Sequence, residues 1–489
     1  MPTRPERCDL TPTLNISRLI CGLWQVADLE RSGDTIDPEL GASALADYAR
    51  AGFDTFDMAD HYGSAEIMAG RLLGRYSRST ERPRAFTKWC PEPGPMTAEI
   101  VRQGVQERLD RLGVKKVDLL QLHWWTFEHP AWLDALHEMA GLKDEGLIEV
   151  IGVTNFDAAH LNLAIADGIP IVSNQVSFSL IDRRAAGELS AVCRAVGVKL
   201  LAYGTLCGGF LSDRWLGQPE PATIEDWSKS KYKRFIDEAG GWDAFQGIMR
   251  AAAAIAAKHR VSISNVATRW VLEHEAVAAA IVGARITEGQ HRNDNLKLFS
   301  FMLDAEDREK LAAAFAQTKP IPGDCGDEYR KPPFLTASGD LTHHLEAIPS
   351  VYKAVPIASR PGRLRVSSGS VWEPIAGYSR AVRVADTIRV SGTTATHGEN
   401  RCVAPGDAGG QATYILDKIA ASIAALGGSM QDVVRTRIYL RDASKWEPVS
   451  RAHGRMFGDV LPANTLIQVG DLVGDYEVEI EAEAIVHRD

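Results

Sequence analysis

"RLICGLWQVAD", residues 18–28, decides between two folds. A strand-like apolar run ends there in a turn, the place where an open, doubly wound α/β sheet carries its glycine-rich dinucleotide loop, G-x-G-x-x-G. The turn holds a single glycine, Gly22, followed by Leu23 and Trp24. That turn does not carry the glycine-rich fingerprint, which leaves the other fold assembled from strand-then-helix units, a closed (β/α)₈ TIM barrel.

The rest of the first 318 residues follows the same rhythm. Short apolar runs recur as "FDTFDM" (53–58), "RAFTKW" (84–89), "VDLLQLHW" (117–124), "IEVIGVTN" (148–155), "IVSNQVSF" (171–178), "VKLLAYGTL" (198–206) and "AAAIVGA" (278–284). Amphipathic stretches separate them. In "AEIVRQGVQERLDRLG" (98–113), Val101, Val105, Leu109 and Leu112 recur at helical spacing and Gly113 closes the helix. Eight strands, each with its helix, make one barrel domain over residues 1–318.

Residues 319–352 are rich in Pro, Gly and Asp without sustained periodicity and read as a linker. From residue 353 to 489 the pattern changes. "YSRAVRV", "TIRVSGT", "VVRTRIYL" and "YEVEIEAEAIV" alternate strictly, as strands with one wet face do. Between them "QATYILDKIAASIAALGG" (411–428) reads as one helix with Ile415, Ile419, Ile423 and Leu426 inward. This is a second, small α+β domain.

Bulk properties narrow the function classes. The formal net charge of −10 over 489 residues argues against nucleic acid as the main partner. No apolar run reaches the length of a membrane span, and the first twenty residues lack a signal-peptide core. Seven scattered cysteines without a CxxC read as reduced thiols in a cytoplasmic setting, and no zinc-ligand spacing or Walker loop is present.

Barrel chemistry collects at the C-terminal strand ends. Here those ends carry Trp24; Asp57 and Tyr62; Lys88 and Trp89; His123, Trp124 and Trp125; Thr154 and Asn155; Gln175; Tyr203; and Gly283 and Arg285. The four tryptophans, if rim-facing, would wall an apolar pocket. No arginine at these ends is evidently dedicated to a substrate carboxylate, which leaves the loops as a source of one and the substrate open. The long segment 211–247 has no strand-like run and reads as disorder or plain surface.

The pieces "GFDTFDMADHYG", "FTKW", "DLLQLHW", "GVTNF", "NQVSFSLIDR", "AYGTLCGGFL" and "IVGARI", in this order, resemble the aldo/keto reductase family. The resemblance implies a catalytic tetrad of Tyr62, Lys88, Asp57 and His123 acting on an aldehyde or ketone with NADPH (NADP). A free tyrosine ionises near pH 10, and a neighbouring ammonium draws that value down. Lys88 would do this, Asp57 would hold Lys88, and His123 would orient the carbonyl oxygen beside Tyr62. The same matching implies that Trp24, Thr154, Asn155, Gln175, Tyr203, Gly283, Arg285 and Asn295 hold the cofactor, with Asn293 and Gln290 as alternatives to Asn295. Arg285 suits a 2′-phosphate. The resemblance also implies that the segment 211–247 is a loop over the cofactor.

The second domain carries "GYSRAVRV", "IRVSGTTA", "ALGGSMQDVVRTRIYLRD", "LPANTLIQV" and "YEVEIEAEAIV", which resemble the Rid/YjgF (reactive-intermediate deaminase) family, of chorismate-mutase-like fold. The resemblance implies a homotrimer and places Tyr378, Ser391 and Glu481 at site positions. Asn464 stands where active members carry an arginine and lacks its charge and fork. The row Glu477, Glu479, Glu481 and Glu483 also fits plain pairing with Arg435, Arg437 or Arg389 on neighbouring strands. A carbonyl reductase leads. Its alternatives are a bifunctional reductase and imine/enamine deaminase, and a nucleotide-binding regulatory subunit with little turnover.

Overall fold

The computed structural model describes residues 4–31, 36–76, 82–284, 286, 291–330 and 349–486. An antiparallel hairpin, β1 (Arg7–Thr11) and β2 (Leu14–Ser17), precedes eight parallel strands. These are β3 (Leu19–Gly22), β4 (Thr55–Asp57), β5 (Arg84–Trp89), β6 (Val117–His123), β7 (Ile148–Thr154), β8 (Ile171–Ser177), β9 (Lys199–Tyr203) and β10 (Val277–Gly283). They pair in sequence order, and β10 closes on β3 through Ala280↔Leu19 to Gly283↔Gly22. The fold is the closed (β/α)₈ barrel. Leu10, Leu14 and Ile16 of the hairpin are buried against Phe86, Leu119 and Leu201 inside the strands, so apolar packing floors the barrel at its N-terminal end.

The helix Ala98–Leu112 shows how local chemistry sets the elements. Thr97 caps its start by accepting from the Ile100 amide, and Gly113 ends it in the left-handed conformation at φ 60°. Its neighbour Ala65–Arg75 approaches so closely that a Cβ on Gly70 would lie 2.7 Å from the Leu112 carbonyl oxygen and 2.8 Å from that of Arg111. Backbone cannot step aside as a flexible side chain can. Gly70→Ala should therefore lower the thermal midpoint by roughly 2–8 °C in a calorimetric scan, despite alanine's better helix propensity.

The second domain is a seven-stranded sheet with helices on one face. Its strands are β11 (Val355–Pro356), β12 (Arg363–Val366), β13 (Ala381–Val384), β14 (Thr387–Thr393), β17 (Val433–Leu440), β18 (Ala463–Gln468) and β19 (Val478–Ile485). The spatial order is β11-β12-β13-β14-β19-β17-β18, and a separate pair joins β15 (Thr396–His397) to β16 (Arg401–Cys402). Ile415, Ile419 and Ile423 of the helix Ala408–Ala425 are buried as the periodicity predicts.

That helix also packs on the barrel helix Ala158–Ala166. His160 bonds Asp157 through Nδ1 at 2.7 Å and Asp417 through Nε2 at 2.8 Å, joining the two domains. Asn162 donates to Asp407 at 2.9 Å, Arg401 donates to Asp167 at 2.7 Å, and His397 meets Asp134 at 2.7 Å. Of the connecting segment, residues 325–328 are buried on the barrel, and residues 331–348 lie outside the described residues. No helix among the described residues is long and apolar enough to cross a membrane. All seven cysteines are free.

Candidate active site

The C-terminal mouth of the barrel opens into a cavity of about 900 Å³. Strand register assembles its polar end. Lys88 stands opposite Gln121 across β5 and β6, His123 opposite Thr154 across β6 and β7, and Thr154 opposite Gln175 across β7 and β8. Lys88 and Asp57 are both buried, and Nζ of Lys88 donates to Oδ2 of Asp57 at 2.7 Å. The other carboxylate oxygen accepts from Gln175 Nε2 at 2.7 Å and Gln121 Nε2 at 3.3 Å. The Asp57 carboxylate therefore receives donors on both sides, which compensates the burial of the ion pair.

Tyr62 comes from the turn after β4, and its ring centre lies 4.9 Å from the Lys88 ammonium. Trp24 stands edge-on to it at 4.9 Å and ties the rim to the segment 211–247 through a 3.1 Å bond from Nε1 to Ser228 Oγ. His123 stacks on Trp125 with ring centres 4.6 Å apart. Burial, and then the charges of His61, Arg330 and Lys88, hold its imidazole well below the usual histidine range, so it is neutral at physiological pH. The Cys90 thiol faces its Nδ1 at 3.4 Å, while Nε2 is buried without a partner among the described residues. All four tetrad positions read from the sequence thus line one cavity.

The expected cofactor contacts gather along the same cavity. Trp24, Thr154, Asn155, Gln175, Tyr203 and Gly283 all line it, as does Asn295 on the short helix Arg292–Lys297. Arg285 and Gln290 lie outside the described residues. The donor set fits a nicotinamide carboxamide. Thr154 Oγ1 is buried with no partner among the described residues, and Gln175 spends its amide nitrogen on Asp57 and Gln121, leaving its oxygen to accept. Asn155, at φ 59°, accepts from the Tyr203 hydroxyl at 2.9 Å, which fixes the Tyr203 ring.

Two of the four tryptophans depart from expectation. Trp24 and Trp125 line the cavity, but Trp89 packs outward over Gly104 and Trp124 is buried with its Nε1 donating to Thr126 O at 2.6 Å. Trp89 follows Lys88 and Trp124 follows His123, and successive side chains leave opposite faces of a strand. The segment 211–247 is folded. It forms the helix Trp227–Glu238, which lines one side of the mouth through Ser228, Lys229, Lys231 and Tyr232 and is anchored by buried Phe235 and Ile236.

Among the cavity residues that the sequence did not single out are Lys231 on that helix and Tyr329 beyond the barrel's last helix. Lys231 did leave a signal. Lys229 has Asp226 three residues before it and Lys233 has Asp237 four residues after it, whereas Lys231 has no acid at either helical spacing. Asp60, His61 and Cys90 bring ligand-type atoms within 4.8 Å of one another. The Asp60 carboxylate is already committed, accepting from the His61 and Cys90 amides and lying 3.6 Å from Arg108.

In the second domain, Ser391 donates to Ser379 O at 2.8 Å, beside half-buried Tyr378. Glu481 accepts from Arg437 at 2.7 Å and from the Tyr439 hydroxyl at 3.0 Å. Asn464 accepts from Thr436 at 3.1 Å. Thr436 and Arg437 are consecutive on β17 and leave opposite faces, so within one chain Asn464 and Glu481 do not converge.

A parallel barrel with a buried Lys–Asp pair beside a tyrosine and a neutral histidine defines an oxidoreductase barrel, here fused to a small α+β domain. Residues 18–315 match the family model described as aldo/keto reductase family, and residues 369–486 match the one described as Endoribonuclease L-PSP. The chain belongs to the aldo/keto reductase family, whose members use nicotinamide cofactors, and carries a Rid/YjgF domain. It is 22% identical over 308 residues to the NADH-specific methylglyoxal reductase of Escherichia coli, covering 58% of this chain and 90% of that protein. A thermostable aldo-keto reductase, Tm1743, solved with the inhibitor epalrestat, is 25% identical with a TM-score of 0.50, covering 63% of this chain and 99% of that one. A YjgF/YER057c/UK114-family protein of Mycobacterium tuberculosis is 39% identical with a TM-score of 0.23, covering 25% of this chain and 99% of that one.

Proposed function

We propose that the barrel is an NADPH-dependent reductase that converts an aldehyde or ketone to an alcohol, with Tyr62 as proton donor. The observation that carries this reading is the Lys88 ammonium, held 2.7 Å from Asp57 and 4.9 Å from the Tyr62 ring, next to a neutral His123. Thr154, Asn155 and Gln175 would hold the nicotinamide carboxamide and Tyr203 would stack on its ring. A nicotinamide nucleotide, when bound there, would supply the hydride that the carbonyl carbon takes. Tyr62 gives its proton to the carbonyl oxygen, Lys88 stabilises the phenolate that remains, and Asp57 keeps the ammonium in place. Neutral His123 donates from Nε2 and orients that oxygen. The preference for NADPH rests on Arg285 and a 2′-phosphate, and the resemblance to an NADH-specific reductase makes the comparison of both cofactors essential. Following absorbance at 340 nm with small aldehydes, ketones and 2-oxoaldehydes should show oxidation of NADPH faster than of NADH. Equal rates would remove the cofactor assignment, and no turnover with either would leave a nucleotide-binding subunit.

A second activity, imine or enamine hydrolysis by the C-terminal domain, is supported by the match over residues 369–486. Asn464 weakens it, because an amide cannot clamp a carboxylate in a charged fork. The same match supports a homotrimer. The free thiols suit a reducing, cytoplasmic compartment.

A further inference from the structure

We propose that Lys231 and Tyr329 form an anion subsite at the carbonyl end of the cavity, and that the substrate is a carbonyl compound bearing a carboxylate close to its C=O, as in a 2-oxo acid. The inference rests on the reductase reading of the barrel and specifies its substrate class. Lys231 is 8% exposed and faces the cavity from the helix Trp227–Glu238. The other two lysines of that helix are neutralised. Lys229 lies 2.9 Å from Asp226, and Lys233 lies 2.6 Å from Glu220 and 2.5 Å from Asp237. Among the described residues no carboxylate reaches Lys231.

What surrounds its ammonium instead is aromatic. Nζ donates to the Tyr329 hydroxyl and lies 4.5 Å from the Tyr329 ring centre, 5.0 Å from that of Tyr203 and 5.6 Å from that of Tyr232. Ring faces attract a cation, but they carry no charge to neutralise it. A buried ammonium without a counter-ion is costly, and proteins seldom keep one unless an anion completes the site.

The position of Tyr329 identifies which anion. Its ring stands edge-on to His123 with centres 5.4 Å apart, and 6.0 Å from that of Trp125. His123 Nε2 is buried and unpartnered among the described residues, and as an N–H it would take the carbonyl oxygen. A carboxylate bonded to that carbonyl carbon would turn toward Lys231 and the Tyr329 hydroxyl while the carbonyl oxygen stays on His123. The phosphates of a nucleotide are the other source of negative charge, so the test separates the two.

Full-length protein saturated with NADP is titrated calorimetrically with oxamate, a carboxylate probe shaped like a 2-oxo acid. Turnover of pyruvate is compared with that of methyl pyruvate, and NADPH affinity is measured separately. Lys231→Met should weaken oxamate about 30-fold, the scale of a lost charge-assisted hydrogen bond, and lower the pyruvate-to-ester ratio of kcat/KM by a similar factor. Tyr329→Phe should lower both less. Ligand-free Lys231→Met should melt above the wild type, because it removes an uncompensated buried charge. Oxamate that fails to bind the wild type, or binds Lys231→Met equally well, overturns the proposal. So does a loss of NADPH affinity with an unchanged pyruvate-to-ester ratio, which would assign the ammonium to a nucleotide phosphate. If neither pyruvate, its ester nor any carbonyl compound of the 340 nm assay is reduced while Lys231→Met still weakens oxamate binding, the anion subsite stands and the reductase reading falls.

Discussion

Replacing Tyr62 with Phe should lower turnover of a reducible aldehyde by about 10²–10⁴-fold, the usual yield of a positioned general acid. The substitution deletes a single oxygen and keeps the ring that packs edge-on against Trp24, so the fold and the cavity persist. Lys88→Met should cause a comparable loss by a different route, since the phenol remains but the charge that stabilises its conjugate base is gone. That change also strands the buried Asp57 carboxylate beside Gln175 and Gln121, and should destabilise the protein by about 3–5 kcal/mol. His123 is held neutral well below the ordinary histidine range, so log kcat/KM should show no inflection near pH 6.5 from this residue. Wild-type rates in Tyr62→Phe, measured at saturating nucleotide, would show that another group delivers the proton.

The second large effect is expected at the join between the domains. Asp417→Leu leaves His160 buried with one carboxylate in place of two and should destabilise the protein by about 3–5 kcal/mol, because it breaks a buried ion cluster from one side. Burial alone would depress the His160 imidazole, yet the charges of Asp157 and Asp417 raise it above its ordinary value. Arg455 approaches Asp157 at 3.5 Å and Phe127 stacks on the imidazole at 3.6 Å. With a folded value raised above the unfolded one, the stabilisation is complete below the unfolded value near 6.5 and is lost as pH rises through the folded value. The deficit of Asp417→Leu in thermal melts should accordingly be larger at pH 6 than at alkaline pH. An equal deficit at both would mean that the charge on His160 does not hold the domains together.

Much of the site was legible because a barrel gathers all its strand ends at one rim, so Asp57, Lys88, His123, Thr154 and Gln175 could be collected from distant segments by strand position alone. What failed was orientation. Trp89 and Trp124 stand one residue beyond Lys88 and His123, and the pleat turns them into the helix layer instead of the cavity. Asn464 and Glu481 part company for the same reason, on opposite faces of the sheet and on the two strands that flank β17. Lys231 and Tyr329 reach the cavity from a helix at one side of its mouth and a chain segment after the barrel, where no strand pattern announces them. The role of His160 was invisible because its partner Asp417 lies 257 residues away in another domain.

The hairpin that stoppers the barrel from below has a consequence for traffic. With Leu10, Leu14 and Ile16 filling that end, the strands offer no rear exit, and everything that enters the well must leave by the door it came through. Of two molecules bound in the well, the one lying deeper leaves only after the one nearer the rim.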